Sequence, residues 1–150
     1  MSYAIDWLAV GSIAACVQTA AFTLGFIFTY KQLKQQSRAA KARSMMSLKE
    51  MFDSYKVVAT SLRQGGKWEH EIPDDAESWG LIDRYLGVFE YCGNLLATKM
   101  VDARYIERAY KAKLQDAIHN ETVAKKLIND RDSWKDLISL CERLDVDFPQ

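Results

Sequence analysis

Residues 7–30 read WLAVGSIAACVQTAAFTLGFIFTY, a run between Asp6 and Lys31 without one charged side chain. As a helix rising about 1.5 Å per residue it is roughly 36 Å long, more than the hydrocarbon core of about 30 Å in a bilayer. The thirteen residues that follow, KQLKQQSRAAKAR, hold five basic side chains and no acid: Lys31, Lys34, Arg38, Lys41 and Arg43. An apolar span with a basic cluster behind it predicts a single crossing of a cell inner membrane. The N-terminus would lie outside and residues 31–150 in the cytoplasm. The five cations would lie at the membrane surface, where anionic headgroups attract each by about 1 kcal/mol. Tyr3 and Trp7 at one end, with Phe28 and Tyr30 at the other, suit interfacial aromatic belts. A cleaved signal peptide fits less well. The leading MSYAID has no Lys or Arg, and the apolar run exceeds the roughly 7–15 residues of such a segment.

Outward from this stretch, the chain of 150 residues divides into three parts. Residues 1–30 form the tail and span, 31–64 a basic juxtamembrane region with a connecting amphipathic helix, and 65–150 a cytoplasmic helical domain. Twenty basic residues balance twenty acidic ones, so a bulk positive field able to hold duplex nucleic acid is not expected. Only two prolines and seven glycines interrupt the chain, which favours helix throughout. Of the three cysteines, Cys16 lies in the span. Cys92 and Cys141 fall on apolar helical stretches, as buried thiols in a reducing compartment would.

After Lys31 nothing breaks a helix before Gly65-Gly66. Met45, Leu48, Phe52, Tyr55, Val58 and Leu62 make one apolar face. The pattern fits one helix of almost sixty residues, or two with a hinge near Ser37 or Ser44. GGKWEHEIPDD, residues 65–75, reads as a loop. Asp75 can cap a helix over 76–98 and Asp102 another over 103–119. Shorter helices follow at 121–129 and 133–144. The predicted class is all-α, with four to five helices in the cytoplasmic domain.

Within the span, Gly11, Ala15, Gln18, Ala21 and Gly25 fall at helical spacing. Small residues allow helix backbones to approach closely, and Gln18 can bond to its copy on a neighbour. This strip predicts self-association into a homo-oligomer. On the helix over 103–119, Arg104, Arg108 and Lys111 share a stripe with Tyr105 beside them. Guanidinium groups grip phosphates and a tyrosine ring can stack on a base, although a solvated charged face has the same composition. His70 and His119 stand in different elements and have no metal-ligand spacing. Glu90, inside LGVFEYCGNLL, is expected to pair with a base such as Arg84 or Lys99. No nucleophile motif is present, so neither catalysis nor a cofactor or metal is expected.

Residues 86–110, LGVFEYCGNLLATKMVDARYIERAY, together with DSWKDLISLCERL at 132–144, resemble an uncharacterised family of small bacterial membrane-anchored helical proteins. Phe89-Glu90, Asp102, and Trp134 with Leu137 carry the likeness. It implies an N-terminal span and a helical domain, and no activity. The layout is also similar to membrane effectors of prokaryotic antiviral defence, such as type III CRISPR effectors activated by cyclic oligonucleotides. The expected function is therefore a non-enzymatic membrane effector. Its cytoplasmic domain would sense a ligand, such as a cyclic oligonucleotide, and perturb the bilayer. Its partners would be lipid, its own copies and that ligand. The alternative is a membrane-tethered module that recruits a cytosolic protein.

Overall fold

The computed structural model describes the backbone of residues 7–148 and the side chains of 18, 19 and 21–148. Among the described residues the fold is all-α, with six helices and no strand. They are α1 (Trp7–Ser54), α2 (Lys56–Leu62), α3 (Ala76–Ala97), α4 (Ala103–His119), α5 (Glu121–Asn129) and α6 (Lys135–Leu144). The chain divides into two compact units, residues 1–40 and 41–150.

What is described of the first unit is helix α1, with every described side chain from Gln18 to Ala39 exposed. Among the described residues, no helix is long and apolar enough to cross a membrane. The span expected over 7–30 therefore finds no support there. Of the uncharged run over 7–30, the described side chains begin at Gln18 and take in about 20 Å of helix before Lys31, Lys34 and Arg38. Gly11 and Ala15 of the expected small-residue strip, and Trp7 and Cys16, lie outside the residues whose side chains are described.

The second unit starts with the last turns of α1, which are core. Leu48 and Phe52 are fully buried. No break forms at Ser37 or Ser44. The helix is interrupted at Tyr55, whose φ of −104° and ψ of 20° leave the helical region. Its ring lies 6.4 Å from that of Tyr85, and Val58 and Leu62 of α2 beyond it are buried. Phe52 is the hub of an aromatic cluster. It stacks on Tyr110 at 4.0 Å and meets Phe89 and Tyr85 edge-on at 5.0 and 6.2 Å. Lys113 holds its ammonium 5.2 Å from the Phe52 ring and 5.5 Å from that of Tyr110. Apolar spacing predicts a stripe of Trp79, Ile82, Leu86, Phe89, Gly93 and Leu96 on α3 and of Ile106, Tyr110, Leu114 and Ile118 on α4; all are buried except Trp79, which is half-buried.

Among helices α2 to α6, the largest contact joins α3 to α6. It is locked by a carboxylate rather than by apolar fit alone. Trp134 precedes α6 and offers no side-chain cap. Glu90 of α3 supplies one from 46 residues away, its Oε1 accepting the Asp136 N–H at 3.0 Å and its Oε2 that of Leu137. These are two of the donors that a helix start leaves unpaired, and a negative charge suits that end of the helix dipole. The expected pairing of Glu90 with Arg84 or Lys99 is thus replaced by a helix cap. Three residues on, Gly93 lets the backbones touch, for a Cβ there would overlap the main chain of Asp136.

A second tie fixes the loop over residues 63–75. Asn120, the one buried polar residue among the described side chains, donates from Nδ2 to the Trp68 carbonyl at 2.6 Å. Its Oδ1 accepts the Val123 N–H and so caps α5. Trp68 folds inward and is buried. Gly65 adopts a φ of 76°, which only glycine takes readily.

The α3–α6 joint makes opposite predictions for glycines of one helix. Gly80→Ala and Gly87→Ala place a Cβ in open space and should stabilise the chain by about 0.5–1 kcal/mol. Gly93→Ala should destabilise it, and Glu90→Ala should cost about 1–3 kcal/mol by leaving two part-buried amides without an acceptor. Urea unfolding of the full chain in detergent measures all four. Equal effects at Gly87 and Gly93 would refute the close approach.

Candidate functional site

Asp102 opens α4. Its extended backbone cannot continue a helix, and its Oδ1 accepts the Arg104 N–H at 2.8 Å. This cap uses the amide that an anion at the helix start would seek, so binding power there falls to side chains. From the cap onward the sequence alternates faces. Ile106 and Tyr110 point into the core, while Arg104, Arg108 and Ala109 are exposed and Tyr105 is half-buried. Residues four apart on a helix stack along its axis. Arg104 and Arg108 therefore form one row, and Tyr105 and Ala109 a second row beside it.

Between these rows runs an open groove of about 600 Å³, lined by Asp102, Arg104, Tyr105, Arg108 and Ala109. The Tyr105 ring is held edge-on against Tyr110, centroids 6.0 Å apart at 77°. Tyr110 is in turn stacked on Phe52, so the groove wall rests on the core. Among the described residues neither guanidinium has an ion pair. The groove thus gathers Arg104, Tyr105 and Arg108 from the expected patch, and adds Asp102 and Ala109. Lys111 does not line it and is half-buried.

A second cavity, about 320 Å³, lies at the other end of α4 between Leu62, Gln64, Glu69, Asp116, His119 and Asn120. His119 contacts the Gln115 carbonyl through Nδ1 at 2.9 Å, and His70 stands exposed beside Glu69 at 3.7 Å. Among the described residues, no three His, Cys, Asp or Glu side chains are placed to hold a metal ion. On α1, Gln18, Ala21 and Gly25 line a shallow apolar groove with Phe22, Phe26 and Thr29. Lys31, Lys34, Arg38, Lys41 and Arg43 are exposed along the same helix.

Comparison with protein-family models, with curated proteins and with solved structures finds no match to this chain.

Several features of this half of the molecule could not be assigned from the sequence. Lys126 reaches across from α5 to pair with Asp83 at 3.1 Å and lies 5.4 Å from the ring of Trp79. Both partners are on α3, more than forty positions earlier in the chain.

The buried thiols carry no nucleophile. Burial pushes both Cys92 and Cys141 up to about 12 from the ordinary 9.0, so each is held as the neutral thiol, which is the poor nucleophile. The sign of the pH effect follows. Unfolded thiols ionise near 9 and folded ones near 12, so their contribution to stability is whole below pH 9. It is lost as pH rises from 9 towards 12. The native chain should react with a charged thiol reagent at Cys92 and Cys141 only at the rate of unfolding, and its melting temperature should fall through that alkaline window. Cys92→Ser together with Cys141→Ala should flatten the fall. Rapid native labelling of either thiol would show an accessible site.

Proposed function

We propose that the chain is a non-enzymatic membrane effector. In this reading residues 7–30 of α1 cross the inner membrane and associate with their copies, and the unit over residues 41–150 binds an anionic ligand such as a cyclic oligonucleotide. The observation that carries the reading is the wide spread of exposed apolar side chains around α1, in its groove and outside it. Phe22, Leu24, Phe26, Ile27, Phe28 and Tyr30 are all 49–76 % exposed. At about 100° per residue they spread over about 240° of the helix circumference, leaving the remaining sector to Gln18, Ala21, Gly25 and Thr29. A partner in a groove covers one face, whereas lipid covers all of them.

Two further observations support it. The five exposed cations of residues 31–43 follow the apolar side chains at once, where a headgroup layer would meet them. Thr23 and Thr29 return their hydroxyls to the carbonyls of Thr19 and Gly25 at 2.9 Å. This turns polar groups inward on an otherwise apolar surface. The ligand arm rests on the α4 groove, with its two unpaired arginines. A ligand acts in such a device only if it binds one packing of the subunits more tightly than another.

The chain made in cells should float with lipid and resist extraction by carbonate. A reporter that works only in the periplasm should stay silent after Gln150. Gln18→Leu and Gly25→Leu should each weaken self-association in the bilayer, the first by about 0.6–2 kcal/mol. Extraction of the chain as a soluble protein would remove the membrane reading. Full function with an unrelated span in place of residues 7–30 would favour the tethered recruiting module instead.

A further inference from the structure

Helix α3 carries a second regular stripe, on the side away from the core. Glu77, Gly80, Arg84, Gly87, Tyr91 and Asn94 follow one another at alternating steps of three and four, the steps of a coiled-coil seam. At about 100° per residue they share a sector of about 100°. Glu77, Arg84, Tyr91 and Asn94 are exposed, and a Cβ added at Gly80 or Gly87 would meet nothing within 4 Å. Tyr91 on the stripe and Leu81 beside it join Met46 and Val57 as the exposed large apolar side chains described in the 41–150 unit, so half of that exposure falls on one helix face. Nothing within the chain requires glycine at 80 or 87, where each weakens the helix relative to alanine. Arg84 has no ion pair among the described residues.

We propose that this face is a dimer surface on which a second copy of the chain lays its own α3, antiparallel, about a twofold axis near Tyr85 and Leu86. Complementarity of the stripe with itself selects the occupant. A parallel copy in register would set Arg84 on Arg84 and Glu77 on Glu77, and the large side chains would hold the helices apart. In the antiparallel pair the register that puts Arg84 over the partner's Gly87 also puts Tyr91 over the partner's Gly80 and Glu77 beside the partner's Asn94, because the three pairs share one midpoint near the middle of α3. Both large side chains then fall into the space of a glycine. The Glu77 carboxylate accepts from the amide of the partner's Asn94, and no like charges oppose. The Arg84 guanidinium lies one turn from the partner's Asp83 and from the ring of the partner's Tyr91, an anion and an aromatic face that both suit it. Each contact occurs twice, as a twofold axis demands. This surface is separate from the association along α1 and does not rest on the membrane reading.

One pair of helices of 22 residues makes a small interface, so dissociation in the micromolar range is expected. Sedimentation equilibrium of the full chain in nonionic detergent tests this, with Gln18→Leu and Gly25→Leu present throughout to weaken association along α1. Gly87→Gln fills the space with a good helix former. It should weaken dimerisation at least about tenfold and leave the urea midpoint of the dilute chain unchanged or higher. Asn94→Asp sets two carboxylates against each other and should weaken dimerisation about threefold or more. Adding Glu77→Lys to it should restore the parent affinity. In a Cys16→Ser background, nitroxide labels on Glu77→Cys should lie about 10 Å farther apart across the dimer than labels on Leu81→Cys, since antiparallel pairing offsets them by about 26 and 14 Å along the axis. A parallel pair would give equal separations.

A chain that stays monomeric up to about 100 µM, a Gly87→Gln variant that dimerises like the parent, a charge exchange that fails to restore association, or equal label separations would each overturn the surface. Membrane association is measured separately, by flotation. A chain that dimerises through α3 and does not float would uphold the surface and remove the membrane reading, and a floating chain indifferent to Gly87→Gln would do the reverse.

Discussion

A carboxylate on the third helix holds the last one in place. Glu90 reaches the two free amides at the start of α6, and Gly93, one turn along, removes the side chain that would keep the two backbones apart. The rest of the 41–150 unit depends on this joint. α6 brings Leu137, Leu140, Cys141 and Leu144 into the core, and they reach it only if its first turn is seated against α3. The pair acts in two ways at once, since the glycine permits the approach that the carboxylate then needs. Apolar surface alone would let α6 slide along α3, whereas an N-terminal cap from outside the helix fixes both its position and its direction.

From that joint the order propagates to the α4 groove through aromatic rings. Phe89 lies between Glu90's turn and the core and meets Phe52 edge-on. Phe52 stacks on Tyr110, and Tyr110 supports Tyr105. Burial pushes Tyr110 well above the ordinary tyrosine range, and the neighbouring Tyr105 hydroxyl adds to the effect. Tyr85, in the same cluster, rises for the same first reason, with the charge of Asp116 second. Both rings therefore stay neutral at physiological pH, and the support beneath the groove does not titrate.

Much of this was legible in the sequence, and most of what was not joins residues distant in the chain. The α4 limits, its capping Asp102, and the grouping of Arg104, Tyr105 and Arg108 follow from spacing within one helix. So do the buried stripes of α3 and α4. The Glu90 cap, the Asn120 tie and the Lys126 bridge each join residues more than forty positions apart, and no local period encodes such a partner. Lys111 shares the arginine stripe by spacing, yet it is half-buried and does not line the groove. The interruption at Tyr55 was not legible either, since tyrosine is no helix breaker. The proposed membrane span is the opposite case. Its evidence is nearly all in the sequence, in an uncharged run that begins before the described side chains do.

The burial of Leu48 and Phe52 also bears on how this protein could be recombined with others. The division between its units falls at Ala40 and Lys41, but the helix does not, for α1 continues to Ser54 and delivers two of the largest fully buried side chains. The bundle thus has no first helix of its own and borrows the end of α1. A fusion joint placed at the apparent start of a new element, at Tyr55 or in the glycine loop, would cut out Phe52 and with it the ring that Tyr110 stacks on. The portable module begins upstream of Met45, inside an uninterrupted helix where no loop marks the boundary.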